Sequence, residues 1–239
     1  MIYFVTGNKG KHAEARAIFG DLVQKDIGYT EIQADTLEEV AAYGIKEVSS
    51  RLDGPVMIED AGLFVDALQG FPGVYSAYVQ KTIGNAGILR LMDGMERRNA
   101  YFKSVVAYAE PGEEPVMFKG EVHGQIGFEE KGGKGFGYDP IFYVGGSSLG
   151  EMEIEEKNRI SHRATSMNAL KEWLEARKSS LLKRSASRKL PCSRPCSWHE
   201  AGIPPAASFP PHQKGAGSAD QFPPGPPPRR GWSSPRWPC

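Results

Sequence analysis

Two neighbouring acids, Glu59 and Asp60, follow the apolar run Val56-Met57-Ile58. That run reads as a compact strand, and adjacent side chains on a strand point to opposite sides, so at least one carboxylate should face a groove at the strand end. Upstream, Thr6-Gly7-Asn8-Lys9-Gly10-Lys11 joins the apolar run Ile2 to Val5 to a helix-compatible segment from Lys11 to Phe19. A strand, loop and helix start of this kind aims backbone N–H groups and the helix dipole at one point, where Lys9 and Lys11 add charge. Phosphate is the natural occupant, although the spacing is neither a Walker A loop nor a G-x-G-x-x-G turn, and a plain glycine turn with solvated lysines is the competing reading. Carboxylates opposite a phosphate site attract Mg²⁺, which prefers oxygen ligands and bridges substrate phosphates. Glu39 is a further candidate ligand, yet Thr36-Leu37-Glu38-Glu39 also spells a capping box in which Glu39 closes its own helix.

Gly132 to Pro140 is too glycine-rich for a regular element but carries Phe136, Tyr138 and Asp139. Such a loop can lay a ring against a planar base while an acid or a backbone group meets the base edge; the alternative is a turn with its aromatics tucked into the core. Lys157, His162 and Arg163 flank a helix start, where a cation is poorly placed for the dipole. Arg163 can only donate hydrogen bonds and a neutral His162 can donate one, which suits carbonyl or phosphate oxygen. A phosphate cradle, a carboxylate pair, an aromatic plate and a basic cluster together suit a nucleoside triphosphate. The five histidines and three cysteines show no zinc spacing.

These segments need a scaffold, and the pattern of the first 60 positions alternates β and α. Ile2 to Val5, Tyr29 to Ala34 and Val56 to Ile58 read as strands; Lys11 to Phe19 and Leu37 to Leu52 read as helices. Ile83 to Met92 has helical spacing, and Tyr101 to Ala109 with Val116 to Ile126 reads as an antiparallel pair joined across Glu110 to Pro115. From Ser161, a plausible N-cap, Ala164, Met167, Leu170, Trp173 and Leu174 repeat at helical spacing.

Composition divides the chain near position 180. Before Leu181 there are five prolines and no cysteine, whereas thirteen prolines, all three cysteines and three of the four tryptophans follow it. Residues 1–180 form the expected catalytic domain, and 181–239 read as a disordered Pro/Gly/Ser/Arg-rich tail. Pro224, Pro227 and Arg229 in that tail fit a P-x-x-P-x-R ligand for an SH3-type groove, a match common by chance in such sequence. Lys+Arg and Asp+Glu both number 29, so bulk charge does not point to a nucleic-acid polymer. No basic n-region precedes an apolar h-region and no run of about 18 apolar residues occurs, so a cytoplasmic protein with no membrane partner is expected.

In combination the segments resemble the inosine triphosphate pyrophosphatases, the XTP/dITP diphosphatases that act on non-standard purine nucleotides. Thr6-Gly7-Asn8 with Lys11, Glu39, Glu59-Asp60-x-Gly62, Phe71-Pro72-Gly73, Phe136-Gly137-Tyr138-Asp139-Pro140 and Ser161-His162-Arg163 stand in the family's order across residues 1–177, and Glu31 to Glu39 looks like the archaeal-type members. The resemblance implies an elongated, two-lobed α/β fold with a mixed sheet, flanking helices and a central cleft, usually as a homodimer. It implies hydrolysis of ITP, dITP or XTP to the monophosphate and pyrophosphate with Mg²⁺, for which Mn²⁺ could substitute. By matching motif, Thr6, Gly7, Asn8, Lys9, Gly10 and Lys11 hold the triphosphate, Glu39 and Asp60 bind metal with Glu59 in support, and Asp60 accepts the attacking water's proton. Phe136, Gly137, Tyr138, Asp139, Lys157, His162 and Arg163 surround the nucleotide, with His162 and Arg163 aimed at the purine 6-oxo group. Ala61 stands where the family often has serine, which removes one neutral contact worth about 1 kcal/mol. The rival of another class is a nucleotide-binding adaptor or sensor that works through the Pro-rich tail.

Overall fold

The computed structural model describes residues 1–187; the expectations for the Pro-rich tail beyond them, the SH3-type motif and the adaptor reading included, lie outside the described residues. Seven strands form one mixed sheet: β1 (Ile2–Val5), β2 (Leu22–Lys25), β3 (Val56–Val65), β4 (Asn99–Ala109), β5 (Val116–Ile126), β6 (Phe142–Val144) and β7 (Ser147–Ser148). Their order is β2-β1-β3-β4-β5-β6-β7, with β1 parallel to both neighbours and every later pairing antiparallel. The parallel pairings follow helical crossovers, α1 (Lys9–Phe19) and α2 (Leu37–Ser49), because a parallel return needs a connection long enough to cross the sheet. Of the antiparallel pairs, β4–β5 and β6–β7 are joined by short turns, whereas residues 66–98 separate β3 from β4 and residues 127–141 separate β5 from β6. Four more α-helices follow among the described residues: α3 (Ser76–Thr82), α4 (Gly84–Leu91), α5 (Ile154–Lys157) and α6 (His162–Ser187).

Alternation along β3 sets the two faces of the sheet. Val56 and Ile58 join Leu37, Ala41, Ile45 and Val48 of α2 in one buried cluster, while Met57 joins Phe4, Ala15, Met167 and Leu170 under α1 and α6. This period of two carries past the apolar run: Glu59 shares the side of Met57, and Asp60 shares the side of Ile58. The α6 end can sit directly on β5 because Gly120 has no side chain; a Cβ there would come within 2.1 Å of the His162 carbonyl oxygen.

Several expectations change in detail. Tyr29 to Ala34 is not a strand; the strand lies at Leu22–Lys25 instead. Tyr29 packs against the cluster under α2, and the Thr30 N–H donates to Glu47 of that helix at 3.1 Å, so this segment bonds to a helix rather than to a ladder. Helix α1 opens at Lys9, two residues early. Glu59 and Asp60 lie in the middle of a ten-residue strand rather than at its end. Helix α3 went unread because seven residues are too few for a clear periodic pattern. Helix α6 continues to Ser187, past the compositional boundary at 180.

Candidate active site

One cavity of about 700 Å³ gathers most of the candidate residues, a size suited to a small-molecule ligand. Its wall includes Thr6, Gly7, Asn8, Lys11, Glu59, Asp60, Ala61, Phe136, Gly137, Tyr138, Asp139, His162 and Arg163. Lys9, Gly10, Glu39 and Lys157 are not on that wall, each for a separate reason.

At the helix start, Asn8 caps α1 by accepting from the Lys11 N–H at 3.0 Å, and the Asn8 N–H donates to Thr6 Oγ1 at 3.1 Å. Asn8 thus consumes one of the free donors expected there, and the N–H groups of Gly7, Lys9 and Gly10 remain without a partner among the described residues. Lys9 is exposed and does not line the cavity. Gly10 matters through packing: a Cβ on it would lie 2.4 Å from the Phe136 ring, so the ring sits where only glycine permits.

Glu39 forms the capping box that its local sequence also spells. Its Oε2 accepts from the Thr36 N–H at 3.1 Å and from Thr36 Oγ1 at 2.9 Å, while Thr36 Oγ1 accepts from the Glu39 N–H at 3.2 Å. This closed capping box engages one carboxylate oxygen at the helix start, and Glu39 is not on the cavity wall. Glu31, from the loop before α2, lines the cavity.

The two acids of β3 differ as their opposite directions require. Glu59 is buried on the α6 side, where its Oε1 accepts from Ser104 Oγ at 2.7 Å and lies 3.1 Å from Arg163 Nε. Lys11 Nζ is 2.9 Å from Glu59 Oε2, close enough to pair as charges, while its hydrogen bond goes to the Glu59 carbonyl oxygen at 3.0 Å. Burial alone would raise the Glu59 pKa, but the charges of Arg163 and Lys11 outweigh it and hold the group ionised well below the ordinary value. Asp60 lacks such compensation. Burial pushes it up, Lys11 pulls it back, and the charges of Glu59 and Glu31 add to the rise, leaving a pKa of about 6. Its Oδ1 accepts from the Ala61 N–H at 3.0 Å.

Behind the cavity wall lies an acid that motif reading missed. Glu14, on α1, is buried with Lys157 Nζ 2.6 Å from its Oε1 and Arg163 Nη1 2.6 Å from its Oε2. Lys157 also meets Asp139 Oδ2 at 2.6 Å, and that same oxygen accepts from the Phe136 N–H at 2.7 Å. Burial opposes ionisation of Glu14, yet the two cations hold its pKa below the ordinary value. An acid next to Ala15 on the buried stripe of α1 was the available signal. Lys157 is therefore a buried strut that orients the aromatic loop, not part of the wall.

The loop itself uses its rings differently. Tyr138 is buried and donates to the Ser76 carbonyl at 2.9 Å, as in the core-packing alternative. Phe136 lies over Lys157 and Arg163, with the two cations 4.8 and 5.2 Å from its centroid. His162 stacks on Phe102 at 4.6 Å, and burial together with the Arg163 charge keeps its imidazole neutral. Arg163 commits Nη1 and Nε to carboxylates; burial opposes its charge, but Glu59 and Glu14 keep it protonated. Ser161 caps α6 as expected, accepting from the Ala164 N–H at 3.1 Å.

These contacts define a chemical class: an α/β protein whose cleft combines a helix-capping loop, an ionisable pair with split protonation behaviour and an aromatic loop braced by buried ion pairs. Residues 2–173 match the model of the Ham1 family, and the chain belongs to that family. It is 51% identical over 176 residues to a dITP/XTP pyrophosphatase of Methanosarcina mazei, covering 72% of this chain and 96% of that protein. A dITP/XTP pyrophosphatase of Thermococcus kodakarensis is 53% identical over 178 residues, 72% of this chain and 96% of the other. Among solved structures, the Ham1 protein of Staphylococcus aureus is 31% identical with a TM-score of 0.65, covering 74% of this chain and all of that one. A nucleoside-triphosphatase / dITP/XTP pyrophosphatase from Mycobacterium abscessus is 31% identical with a TM-score of 0.56, covering 71% of this chain and 98% of the other.

Proposed function

We propose that this chain hydrolyses non-standard purine nucleoside triphosphates (ITP, dITP and XTP) to the monophosphate and pyrophosphate. One observation carries the reading: in a Ham1-family chain, Asp60 stands in the same cavity as the Thr6–Asn8 loop, Lys11 and the Phe136–Asp139 loop, with a pKa of about 6. Such a carboxylate can accept a proton near neutral pH. A water positioned by Asp60 attacks the α-phosphorus; the new P–O bond forms as the bond to the bridging oxygen breaks, pyrophosphate leaves, and the water's proton passes to Asp60. The Thr6–Asn8 loop, with the Gly7 N–H unpartnered among the described residues, and Lys11 fit the phosphate chain, and His162 and Arg163 fit the purine 6-oxo group, against which an adenine amino group would leave donors unpaired.

The donor set fits Mg²⁺, with Mn²⁺ as a substitute. Asp60 and Glu31 are acids on the wall that would hold it, and the nearby negative charge raises the Asp60 pKa. Three cations on the wall, Lys11, Lys81 and Arg163, face five carboxylates, Asp26, Glu31, Glu59, Asp60 and Asp139, so a polyanion entering the cleft needs added positive charge. No group of three or more His, Cys, Asp or Glu forms a ready-made cage among the described residues, which suits a cation that keeps water and substrate oxygens as ligands. When bound, the ion would neutralise phosphate charge and polarise the reacting phosphoryl group. A homodimer in the cytoplasm completes the proposal. Supporting the dimer are Phe71, Tyr75, Tyr78 and Ile83, large apolar residues exposed within one short stretch. No helix among the described residues is long and apolar enough to cross a membrane.

The deciding experiment follows pyrophosphate release from ITP, XTP, dITP, GTP and ATP by the full chain, with Mg²⁺ and with EDTA. Metal-dependent release favouring ITP, dITP and XTP is expected, with Asp60→Asn reduced by several orders of magnitude. Near-normal turnover in that variant would remove Asp60 from its role, and no release from the folded protein would overturn the activity. Light scattering checks the dimer.

A further inference from the structure

Most of the charge around the cavity cancels internally. Glu14, Glu59 and Asp139 pair with Lys11, Lys157 and Arg163 in one contiguous, largely buried network, every member lying within 3.1 Å of an oppositely charged partner. Three anions balanced by three cations present little net field to a ligand. What remains on the wall is Asp26, Glu31 and Asp60 on the negative side, and Lys81 alone on the positive side.

Lys81 sits in the last turn of α3 and is exposed, with no carboxylate partner among the described residues. Its helix is tied to the aromatic loop at two points: Tyr138 Oη donates to the Ser76 carbonyl at 2.9 Å and Gln80 Nε2 donates to the Gly137 carbonyl at 3.2 Å. The stem of Lys81 therefore starts from a base that is hydrogen-bonded to the aromatic loop, on the wall of the cleft. A point charge on a long stem suits a phosphate chain, whose charge is spread over many oxygens, better than it suits a directional base edge.

We infer that Lys81 is a further substrate-binding residue, an uncompensated cation that contacts the phosphate chain of the nucleotide. This inference rests on the proposed nucleotide reading. The plainer role for a lysine in the last turn of a helix is to oppose the helix dipole, which would affect stability and not binding.

The test titrates inorganic tripolyphosphate with Mg²⁺ into the full chain by calorimetry, comparing wild type, Lys81→Met and Lys81→Arg, with melting temperatures measured alongside. Loss of one charge-assisted contact should weaken tripolyphosphate binding about tenfold in Lys81→Met, and Lys81→Arg should restore most of it. The salt dependence of binding should also become shallower in Lys81→Met. In turnover of ITP the loss should fall mainly on KM. Equal tripolyphosphate affinity in all three proteins would overturn the inference, as would a lower melting temperature with unchanged affinity. If the wild type releases no pyrophosphate from ITP, the proposed activity fails, while the tripolyphosphate titration still decides whether Lys81 holds a polyphosphate.

Discussion

Replacing Asp60 with asparagine should make the metal-free protein more stable while removing its activity. In the folded chain the Asp60 pKa is raised from 3.8 to about 6 by burial and by the charges of Glu59 and Glu31. The sign follows directly: a carboxylate with a raised folded pKa is held protonated more tightly by the folded state, so its ionisation costs stability. That cost is absent below pH 3.8, grows as pH rises through the interval, and is complete above about pH 6. A shift of about two pKa units corresponds to about 3 kcal/mol, which partial solvent access reduces to about 2 kcal/mol. Asparagine preserves the shape and can still accept from the Ala61 N–H, which Asp60 Oδ1 does at 3.0 Å. At pH 8 in EDTA, Asp60→Asn should therefore melt roughly 4–8 °C above wild type, given about 2–4 °C per kcal/mol for a chain of this size. The gap should close as pH falls toward 4, and adding Mg²⁺ should stabilise wild type more than the variant. A variant no more stable than wild type at pH 8 would refute the claim that Asp60 carries uncompensated charge.

The buried network makes opposite predictions. Glu14→Ala should destabilise the fold by about 3 kcal/mol, since it strips one partner from each of two buried cations that retain a second; a loss under about 1 kcal/mol in urea unfolding at pH 7 would count against the network. Because Glu14 and Glu59 both have lowered pKa values, their stabilisation is present above the ordinary 4.5 and is lost as pH falls below it, so acid unfolding should begin there in wild type and be shallower in Glu14→Ala. Gly10→Ala should push the Phe136 ring out of place and cost about 1–3 kcal/mol, with ITP KM raised and the helix content by circular dichroism unchanged. Glu39→Ala should cost about 1 kcal/mol through the lost cap and leave the Mg²⁺ dependence of turnover unaltered, whereas Glu31→Ala should raise the Mg²⁺ concentration needed for half-maximal rate.

Much of the scaffold was legible in local pattern. The compact apolar run Val56–Ile58, the long pair at Tyr101–Ala109 and Val116–Ile126, and the helical repeat after Ser161 each carry a local pattern strong enough to name the element. Tyr29 to Ala34 shows the limit: its alternation is strand-like, but its ring and its Thr30 N–H found partners on α2. Glu39 shows another, because one sequence spells both a metal ligand and a capping box, and only the folded chain shows the box closed on Thr36.

By itself the sequence determined that a glycine loop, an acid pair, an aromatic loop and a basic helix start would occur in this order, since each is a local arrangement written in adjacent residues. Period-two alternation even required Glu59 and Asp60 to part company. Only the tertiary structure decided which charges cancel. Glu14 meets Lys157 and Arg163 across about 145 positions of chain because α1 and α6 pack on the same face of the sheet. Burial there makes pairing obligatory for Glu59 and leaves Asp60, one residue on but facing the other way, with the unshared proton affinity. Electrostatic energy depends on distance and desolvation, and neither is a property of neighbours in sequence.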